Sequence, residues 1–129
     1  MTPALLWAQV LAVSVGAALG ALARWGAGLW LNAAWVGFPL GTLFVNCVGG
    51  LLIGMALFWL EKTPNEMMRL LIVTGFLGGL TTFSSFSAES LILLQRGAWA
   101  MAVTHTLAHL LGSLACAGLG FWVLRTLLD

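Results

Sequence analysis

The sequence has 129 residues, of which 61% are hydrophobic and 7% are charged, and its mean hydropathy is +1.05. Soluble domains carry about 25% charged residues, so this composition excludes a water-soluble globular domain and indicates a protein embedded in lipid. A net charge of +1 provides no basic patch, and we expect no nucleic-acid partner. Because one membrane crossing takes about 20 apolar residues, the chain has room for four crossings joined by short loops.

Four apolar runs, separated by charged residues, are the predicted membrane helices. They cover residues 5–23, 41–60, 70–94 and 98–124, and they form a single transmembrane domain over residues 1–129. The first run ends on small residues, as a signal peptide does. No Lys or Arg precedes it and it is too long, so we expect it to remain in the protein. A ridge of small residues, which allows close helix packing in lipid, repeats every four positions along it: Ala12, Gly16 and Gly20.

The basic residues give only a weak signal for the orientation of these helices. Lys62, Arg69 and Arg125 lie on one side of the predicted topology, and Arg24 and Arg96 lie on the other. Orientation follows an excess of Lys and Arg on the cytoplasmic side, so two interpretations stay open: one orientation that prevails narrowly, or copies inserted both ways. Four short helices enclose little space, so a solute pathway forms more naturally between two copies. An antiparallel pair would supply the inverted symmetry found in larger transporters.

The second run carries a polar and small stripe on one face of its helix. The residues of this stripe are spaced four apart: Thr42, Asn46, Gly50 and Gly54. An amide in the bilayer core needs a hydrogen-bond partner, so Asn46 faces either protein or a water-filled path. A bond to a neighbouring helix and a place on a solute pathway both stay open for this side chain.

The third run contains a cluster of glycine and hydroxyl residues in an otherwise apolar sequence. Gly75, Gly78 and Gly79 come first. Five hydroxyl residues follow: Thr81, Thr82, Ser84, Ser85 and Ser87. Glycine costs a helix about 1 kcal/mol relative to alanine, and Ser or Thr can bond backbone groups that unwinding releases. We therefore expect a broken helix near residues 78–82, with close packing at glycine as the alternative. Such breaks expose carbonyls that can hold a cation, and a helix N-terminus that favours an anion.

Beyond the expected break, Phe83, Phe86 and Glu89 recur every three residues and share one face. Phenylalanines on a membrane helix usually contact lipid, but a carboxylate on the same face indicates that this face turns inward. The electropositive edges of aromatic rings could contact an anion without binding it tightly. An intramembrane acid such as Glu89 could alternatively carry protons.

The fourth run places four residues on one stripe: His105, His109, Ser113 and Ala117. The two histidines have the i, i+4 spacing of zinc-binding helices, but the sequence shows no neighbouring Cys, His or acidic residue, so this is weak support for a metal site. We instead expect His109 and Ser113 to donate hydrogen bonds into a polar track. Cys47 and Cys116 lie mid-span on different helices, where thiols behave as small apolar groups, and we expect no disulfide.

The segment GGLTTFSSFSAE, residues 78–89, strongly resembles the Fluc (CrcB) family of fluoride channels. Three further segments match that family in order and spacing, so the resemblance covers essentially the whole chain. These are Arg24-Trp25, Gly41-Thr42-Leu43 with Asn46, and Leu110-Leu111-Gly112-Ser113.

The resemblance implies an all-α membrane protein of four transmembrane helices, with the third helix broken near its centre, that forms an antiparallel, dual-topology homodimer. It implies a fluoride-selective channel in the bacterial plasma (inner) membrane that passively exports fluoride and so gives resistance to fluoride toxicity. It also implies a structural sodium ion at the dimer interface. The expected partners are fluoride, sodium, membrane lipid and the second copy.

The resemblance also assigns roles to individual residues. The carbonyls of Gly78 and Thr81 match the sodium ligands. Phe83 and Phe86 match paired phenylalanines whose ring edges line the fluoride path, with the Asn46 amide beside them. The remaining residues expected along the pathway are Thr42, Ser84, Ser87, Glu89, His109 and Ser113. Ala117 departs from the family pattern, which usually has another hydroxyl residue at this position. The role of the far end of the polar track therefore stays open.

Two other classes of membrane protein compete with this interpretation. A small proton-coupled multidrug transporter also has four helices and dual topology, but the glutamate typical of its first span is absent here. A non-transporting scaffold would have no need of a glycine break followed by Phe-x-x-Phe-x-x-Glu. No nucleophile and base lie convincingly together, and no nucleotide or haem motif occurs, so we expect that the protein is not an enzyme.

Overall fold

The computed structural model describes residues 2–31 and 38–128, and within them it contains helices and no strand. Helix α1 spans Pro3–Leu31, α2 spans Leu40–Lys62, α3 spans residues 66–80, α4 spans Phe83–Gln95 and α5 spans Trp99–Leu128. Because α3 and α4 belong to one apolar run, four helical stretches are long and apolar enough to cross a membrane. The prediction of an all-α protein with four such helices is confirmed. Of the predicted domain, Met1, residues 32–37 and Asp129 lie outside the described residues.

Helix α3 departs from α-helical geometry along most of its length. Its first turn is capped by Asn65, whose side-chain oxygen accepts a hydrogen bond from the Met68 amide at 3.0 Å. The backbone is then π-helical over Arg69–Leu77. π-Helical turns are rare and frequently lie at functional sites. This one directly precedes the segment in which the helix is interrupted.

The third apolar run is interrupted between α3 and α4. After an α-helical turn at Gly78–Leu80, the backbone of Thr81 is extended at φ −83°, ψ 155°, and that of Thr82 at φ −151°, ψ 119°. Helix α4 starts at the next residue, and the Thr82 hydroxyl caps it by accepting from the Ser85 amide at 3.1 Å. The interruption lies within the segment where the sequence predicts a broken helix.

The helices pack mainly as two close pairs, α1 against α3 and α2 against α5. Glycines permit the close approach in both pairs. A Cβ atom at Gly20 would overlap the Phe76 backbone of α3, and one at Gly54 would overlap the Ala117 carbonyl of α5. The small-residue ridge of the first run therefore serves helix packing, as its spacing indicates.

The buried core is small, and large apolar side chains cover the outside of the helices instead. The central cluster consists of Val45, Leu77 and Leu80, which pack where α2 meets α3. On the outer surface, Trp7 is 70% exposed and Trp30 is 86% exposed. Apolar surface of this extent is unfavourable in water and suits contact with lipid chains.

Candidate functional site

The side chain of Asn46 holds the interrupted segment in place. Its Oδ1 accepts a hydrogen bond from the Thr82 amide at 2.9 Å, and its Nδ2 donates to the Thr82 carbonyl at 3.2 Å. These two bonds replace the helical partners that the extended backbone has lost, so the amide acts as a surrogate backbone within the membrane. The α2 helix is thereby tied to the break by a residue that the sequence places on its polar stripe.

The same amide determines the proton position on His109. Because Oδ1 of Asn46 accepts from Thr82, the amide orientation is fixed, and its second N–H points at His109 Nδ1, which lies 3.1 Å from Nδ2. That nitrogen must accept, so a neutral imidazole carries its proton on Nε2. The Nε2 atom is buried and has no hydrogen-bond partner among the described residues. Both N–H groups of Asn46 are engaged, whereas the N–H of His109 is not.

A second polar group forms around Glu89 on α4. Its Oε1 accepts from the Thr42 hydroxyl at 2.5 Å, and its Oε2 lies 3.2 Å from His105 Nε2. The other ring nitrogen of His105, Nδ1, lies 3.0 Å from the Ser90 hydroxyl. The His105 side chain is fully buried and that of Glu89 is 21% exposed. Both oxygens of the intramembrane carboxylate therefore have polar partners, as an acid in lipid requires.

Aromatic rings connect the two polar groups. The Phe86 ring stacks on His105, with 5.4 Å between centroids and an interplanar angle of 8°, and lies 5.0 Å from the His109 ring. The centroids of His105 and His109 are 4.5 Å apart. Phe83 contacts Phe86 at 5.4 Å but is itself 79% exposed. The two phenylalanines are thus adjacent, as predicted, but Phe86 is half-buried whereas Phe83 is exposed.

Two cavities lie on either side of this connected group. The larger cavity, about 850 Å³, lies between α2, α3, α4 and α5, and the smaller cavity, about 520 Å³, lies between α1, α2 and α4. Glu89 and Thr42 line the smaller cavity together with Arg24, whereas Asn46 and His109 line the larger one. Hydrogen bonds and ring contacts through His105 and Phe86 join the two walls.

The remaining predicted site residues occupy different surroundings. Ser113, Gly78 and Thr81 line the larger cavity with Phe83 and Phe86. The Ser87 hydroxyl donates back to the Phe83 carbonyl at 2.8 Å, and the Ser84 hydroxyl lies 3.1 Å from that of Thr82. The structure thus links Thr42 and Glu89 through His105 to Phe86, His109 and Asn46. The two serines are exposed and bond locally.

The sequence identified His105 only as one member of a histidine pair. The structure places it at the centre of the site, where it joins Glu89 to the aromatic rings. Glu89, His105 and His109 each offer one ligand atom, and these atoms lie within 4.8 Å of one another, which makes the group a possible metal-binding cluster. The i, i+4 histidine spacing was the available signal. The missing information was that an acid from α4 reaches the same pair.

Comparison with known proteins places the chain in a family. Residues 11–121 match the family model described as CrcB-like protein, Camphor Resistance (CrcB). The chain belongs to the CrcB family. Its membership confirms the resemblance carried by the GGLTTFSSFSAE segment. As a CrcB-family protein with four apolar helices, it is a multi-pass membrane protein.

Curated relatives align over almost the whole CrcB-family chain. The Fluoride-specific ion channel FluC of Bordetella petrii is 56% identical over 123 residues, which cover 93% of this chain and 94% of the relative. The protein of the same name from Thiobacillus denitrificans is 51% identical, covering 91% of this chain and 96% of the relative. A third, from Polynucleobacter asymbioticus, is 48% identical and covers 95% and 99%. The relatives are named as ion channels, which confirms the prediction that this protein is not an enzyme.

Proposed function

We propose that this CrcB-family protein is a fluoride-selective channel through which fluoride leaves the cytoplasm down its gradient, so that the cell resists fluoride toxicity. Three relatives are named fluoride-specific ion channels, and the alignment with this chain covers at least 94% of the length of each. Export from the cytoplasm requires the bacterial plasma (inner) membrane, where we place the protein. Transport needs no energy source other than the fluoride gradient itself.

The observation that carries this proposal is the connected group of side chains between the two cavities. An ion that entered the smaller cavity would meet Thr42 and Glu89, and one in the larger cavity would meet Phe86 and His109. Among the residues that the structure describes around the larger cavity, there is no Lys, Arg, Asp or Glu. Conduction requires sites that release their ion, so neutral donors and ring edges suit a channel better than fixed cations.

His109 is the best-placed donor for a dehydrated fluoride ion. An unpaired buried N–H costs about 1–3 kcal/mol, and an anion that accepts from His109 Nε2 would recover this free energy. Fluoride is small and tightly hydrated, so a narrow route must replace its water with such donors. Asn46 contributes indirectly, because its own N–H groups are engaged and it keeps the His109 proton on Nε2. We keep Ser113, Ser84 and Ser87 on the proposed route because the family resemblance assigns them there; of the three, Ser113 lines the larger cavity.

The phenylalanine pair supplies weak anion contacts beside this donor. Phe86 lies against both histidine rings, and Phe83 reaches outward from it. Ring edges carry a partial positive charge, so they can guide an anion without holding it. Glu89 lines the smaller cavity and not the larger one, and Thr42 and His105 each contact one of its oxygens.

A second copy, inserted in the opposite orientation, completes the pathway. The larger cavity is lined by His109, whose buried Nε2 has no partner among the described residues and would find none in lipid. An antiparallel partner would cover this cavity with the same surface. The nearly even distribution of basic residues is compatible with insertion both ways.

The main-chain oxygens of Gly78 and Thr81 fit a structural sodium ion at the interface of these two copies. In a continuous helix, the Gly78 carbonyl would accept from the Thr82 amide, and the Thr81 carbonyl would accept from the Ser85 amide. Here the Thr82 amide donates to Asn46 and the Ser85 amide donates to the Thr82 hydroxyl. Both carbonyls have lost their helical donors, and both residues line the larger cavity. Carbonyl oxygens are hard ligands that suit a hard cation; bound sodium would hold the two copies together.

Fluoride efflux from liposomes that contain the purified protein tests the proposed function. Fluoride should leave these liposomes much faster than it leaves protein-free liposomes, while chloride efflux should stay at the protein-free level. Equal fluoride efflux with and without protein, or equal fluoride and chloride efflux through the protein, would contradict a fluoride-selective channel.

The same assay tests the sodium site. Dialysis of the protein against sodium-free buffer before reconstitution should reduce fluoride efflux, because the two copies lose the ion between their Gly78 and Thr81 carbonyls. Restoring sodium should restore efflux. Full activity after exhaustive removal of sodium would rule out the ion as a structural element.

A further inference from the structure

We propose that Glu89, His105 and His109 form a binding site for a divalent transition-metal ion of the zinc class. Each residue offers one ligand atom, and the three atoms lie within 4.8 Å of one another. Two imidazoles and a carboxylate are a common ligand set for zinc, whereas sodium prefers oxygen ligands. This site is therefore separate in residues and in chemistry from the sodium site proposed at Gly78 and Thr81.

One distance within the cluster matches that between two ligands of a tetrahedral ion. His105 Nε2 and Glu89 Oε2 are 3.2 Å apart. Two ligands that bind zinc at 2.0–2.1 Å in tetrahedral geometry are separated by about 3.3 Å, so this pair needs almost no movement. We assign His109 Nε2 as the third ligand atom, because Asn46 contacts the other ring nitrogen, Nδ1. The Nε2 nitrogen is buried and has no hydrogen-bond partner among the described residues. The His109 residue as a whole is 6% exposed.

Outer partners already orient the imidazole of His105. Its Nδ1 lies 3.0 Å from the Ser90 hydroxyl. In the metal-free arrangement His105 Nε2 carries the proton and donates it to the Glu89 carboxylate, while Nδ1 accepts from Ser90. When a metal binds, this proton moves to Nδ1, which then donates to the Ser90 hydroxyl and leaves the Nε2 lone pair for the metal. Metal-binding histidines usually have such a partner on their second nitrogen, and its loss typically lowers metal affinity about 10–100-fold. Ser90 follows Glu89 directly in α4, so ligand and supporting group move together.

His109 must change tautomer to bind the metal. In the metal-free arrangement its proton is on Nε2, because Nδ1 accepts from Asn46. Metal binding moves this proton to Nδ1 and frees the Nε2 lone pair, with no net loss of charge. The Asn46 amide then gives up its contact with Nδ1 but keeps both bonds to Thr82. The chain thus supplies three metal ligands. The Asn46 contact with His109 Nδ1 lowers the affinity of the site for a metal ion, because metal binding must break it.

Metal binding and fluoride conduction would then compete for one atom. The metal would take the His109 Nε2 that we propose as a fluoride donor, so a saturating metal concentration should lower fluoride efflux at least tenfold. The ion can reach His109 from the larger cavity, where no Lys or Arg occurs among the described lining residues. Undiminished efflux from metal-saturated protein would overturn this shared use of His109.

The binding itself is tested on the purified protein with Zn²⁺ as the probe and with the affinity tag removed. Calorimetry should give one Zn²⁺ per chain. His105→Gln, which keeps an amide near Ser90 and Glu89, should weaken binding at least about tenfold. The Asn46→Asp variant should tighten it by a similar factor, because a carboxylate accepts the Nδ1 proton of a metal-bound His109. No Zn²⁺ binding, or the same affinity in all three proteins, would overturn the site.

A matched control addresses the two thiols, which could bind Zn²⁺ elsewhere in the chain. Cys47→Ser should leave the affinity within about twofold of the unsubstituted protein, whereas a large loss would assign the ion to the cysteines and overturn the proposal. Zinc-edge X-ray absorption on the unsubstituted protein gives an answer even if a variant fails to fold. The chain has two histidines, both in this cluster, so a signal from two imidazoles supports the site. Sulfur ligands, or oxygen ligands alone, contradict it. None of these measurements requires fluoride flux, so failure here leaves the proposed channel activity standing.

Discussion

Asn46→Asp should abolish fluoride efflux from liposomes. A carboxylate at this position repels an anion on the path by about 4 kcal/mol at 4 Å and an effective dielectric constant of 20, which corresponds to roughly a thousandfold slower passage. The substitution also removes the N–H group from which His109 Nδ1 accepts a hydrogen bond. His109 would then donate Nδ1–H to the new carboxylate, and its Nε2 would lose the proton that we propose fluoride binds.

Asn65→Asp is the matched control, because it makes the same chemical change outside the site. Asn65 caps α3 with its side-chain oxygen, and an aspartate oxygen caps equally well, so this variant should conduct like the unsubstituted protein. Efflux of the Asn46 variant at the level of the control, measured on protein of equal assembly state, would remove Asn46 and its charge from the neighbourhood of the path.

Phe86→Ile should lower fluoride efflux by about 10–100-fold while the protein still assembles. The substitution removes ring contacts with His105 and His109, each worth about 0.5–1.5 kcal/mol, and with them the electropositive edge that would contact the anion. A barrier raised by about 1–3 kcal/mol corresponds to that range of rates. Initial efflux rates, measured with a fluoride electrode, give the comparison.

Phe58→Ile separates the loss of a pathway ring from the loss of any buried aromatic pair. Phe58 is 4% exposed and forms an edge-to-face pair with Phe121 at 5.5 Å, but it lines neither cavity. It should lower stability and leave the efflux of each assembled channel within about twofold. Equal losses of efflux in the two variants would assign Phe86 a packing role.

Much of the fold follows from local sequence patterns. Composition and the placement of charges are sufficient to locate four membrane helices, because an apolar run in lipid has few alternatives to a helix. The glycines and hydroxyl residues at 75–87 predict an interruption of the third run, since Gly weakens the helix and Ser or Thr can cap the released backbone. The Ser87 bond to the Phe83 carbonyl is equally local and follows from i, i−4 spacing.

The connections within the site could not be predicted in the same way. Asn46 is 36 residues from Thr82 and 63 residues from His109, so its choice of partners depends on the register between helices. The sequence provided only weak support for a metal site at His105 and His109, because no further Cys, His or acidic residue lies near them in the chain, and it favoured hydrogen bonding by His109. Glu89, on α4, reaches them only after folding. Helical spacing also placed Phe83 and Phe86 on one face, but the start of α4 at Phe83 leaves that ring outside the group formed by Phe86 and the histidines.

The central claim is that two copies with opposite orientations together enclose two pathways for fluoride. Site-directed labelling tests it most directly, with a single cysteine at Thr2→Cys in a chain whose own cysteines are replaced by alanine. A membrane-impermeant maleimide added to spheroplasts should react with about half of the copies, and the other half should react only after the membrane is opened. Labelling of all copies, or of none, before the membrane is opened would contradict the antiparallel pair and the pathways built from it.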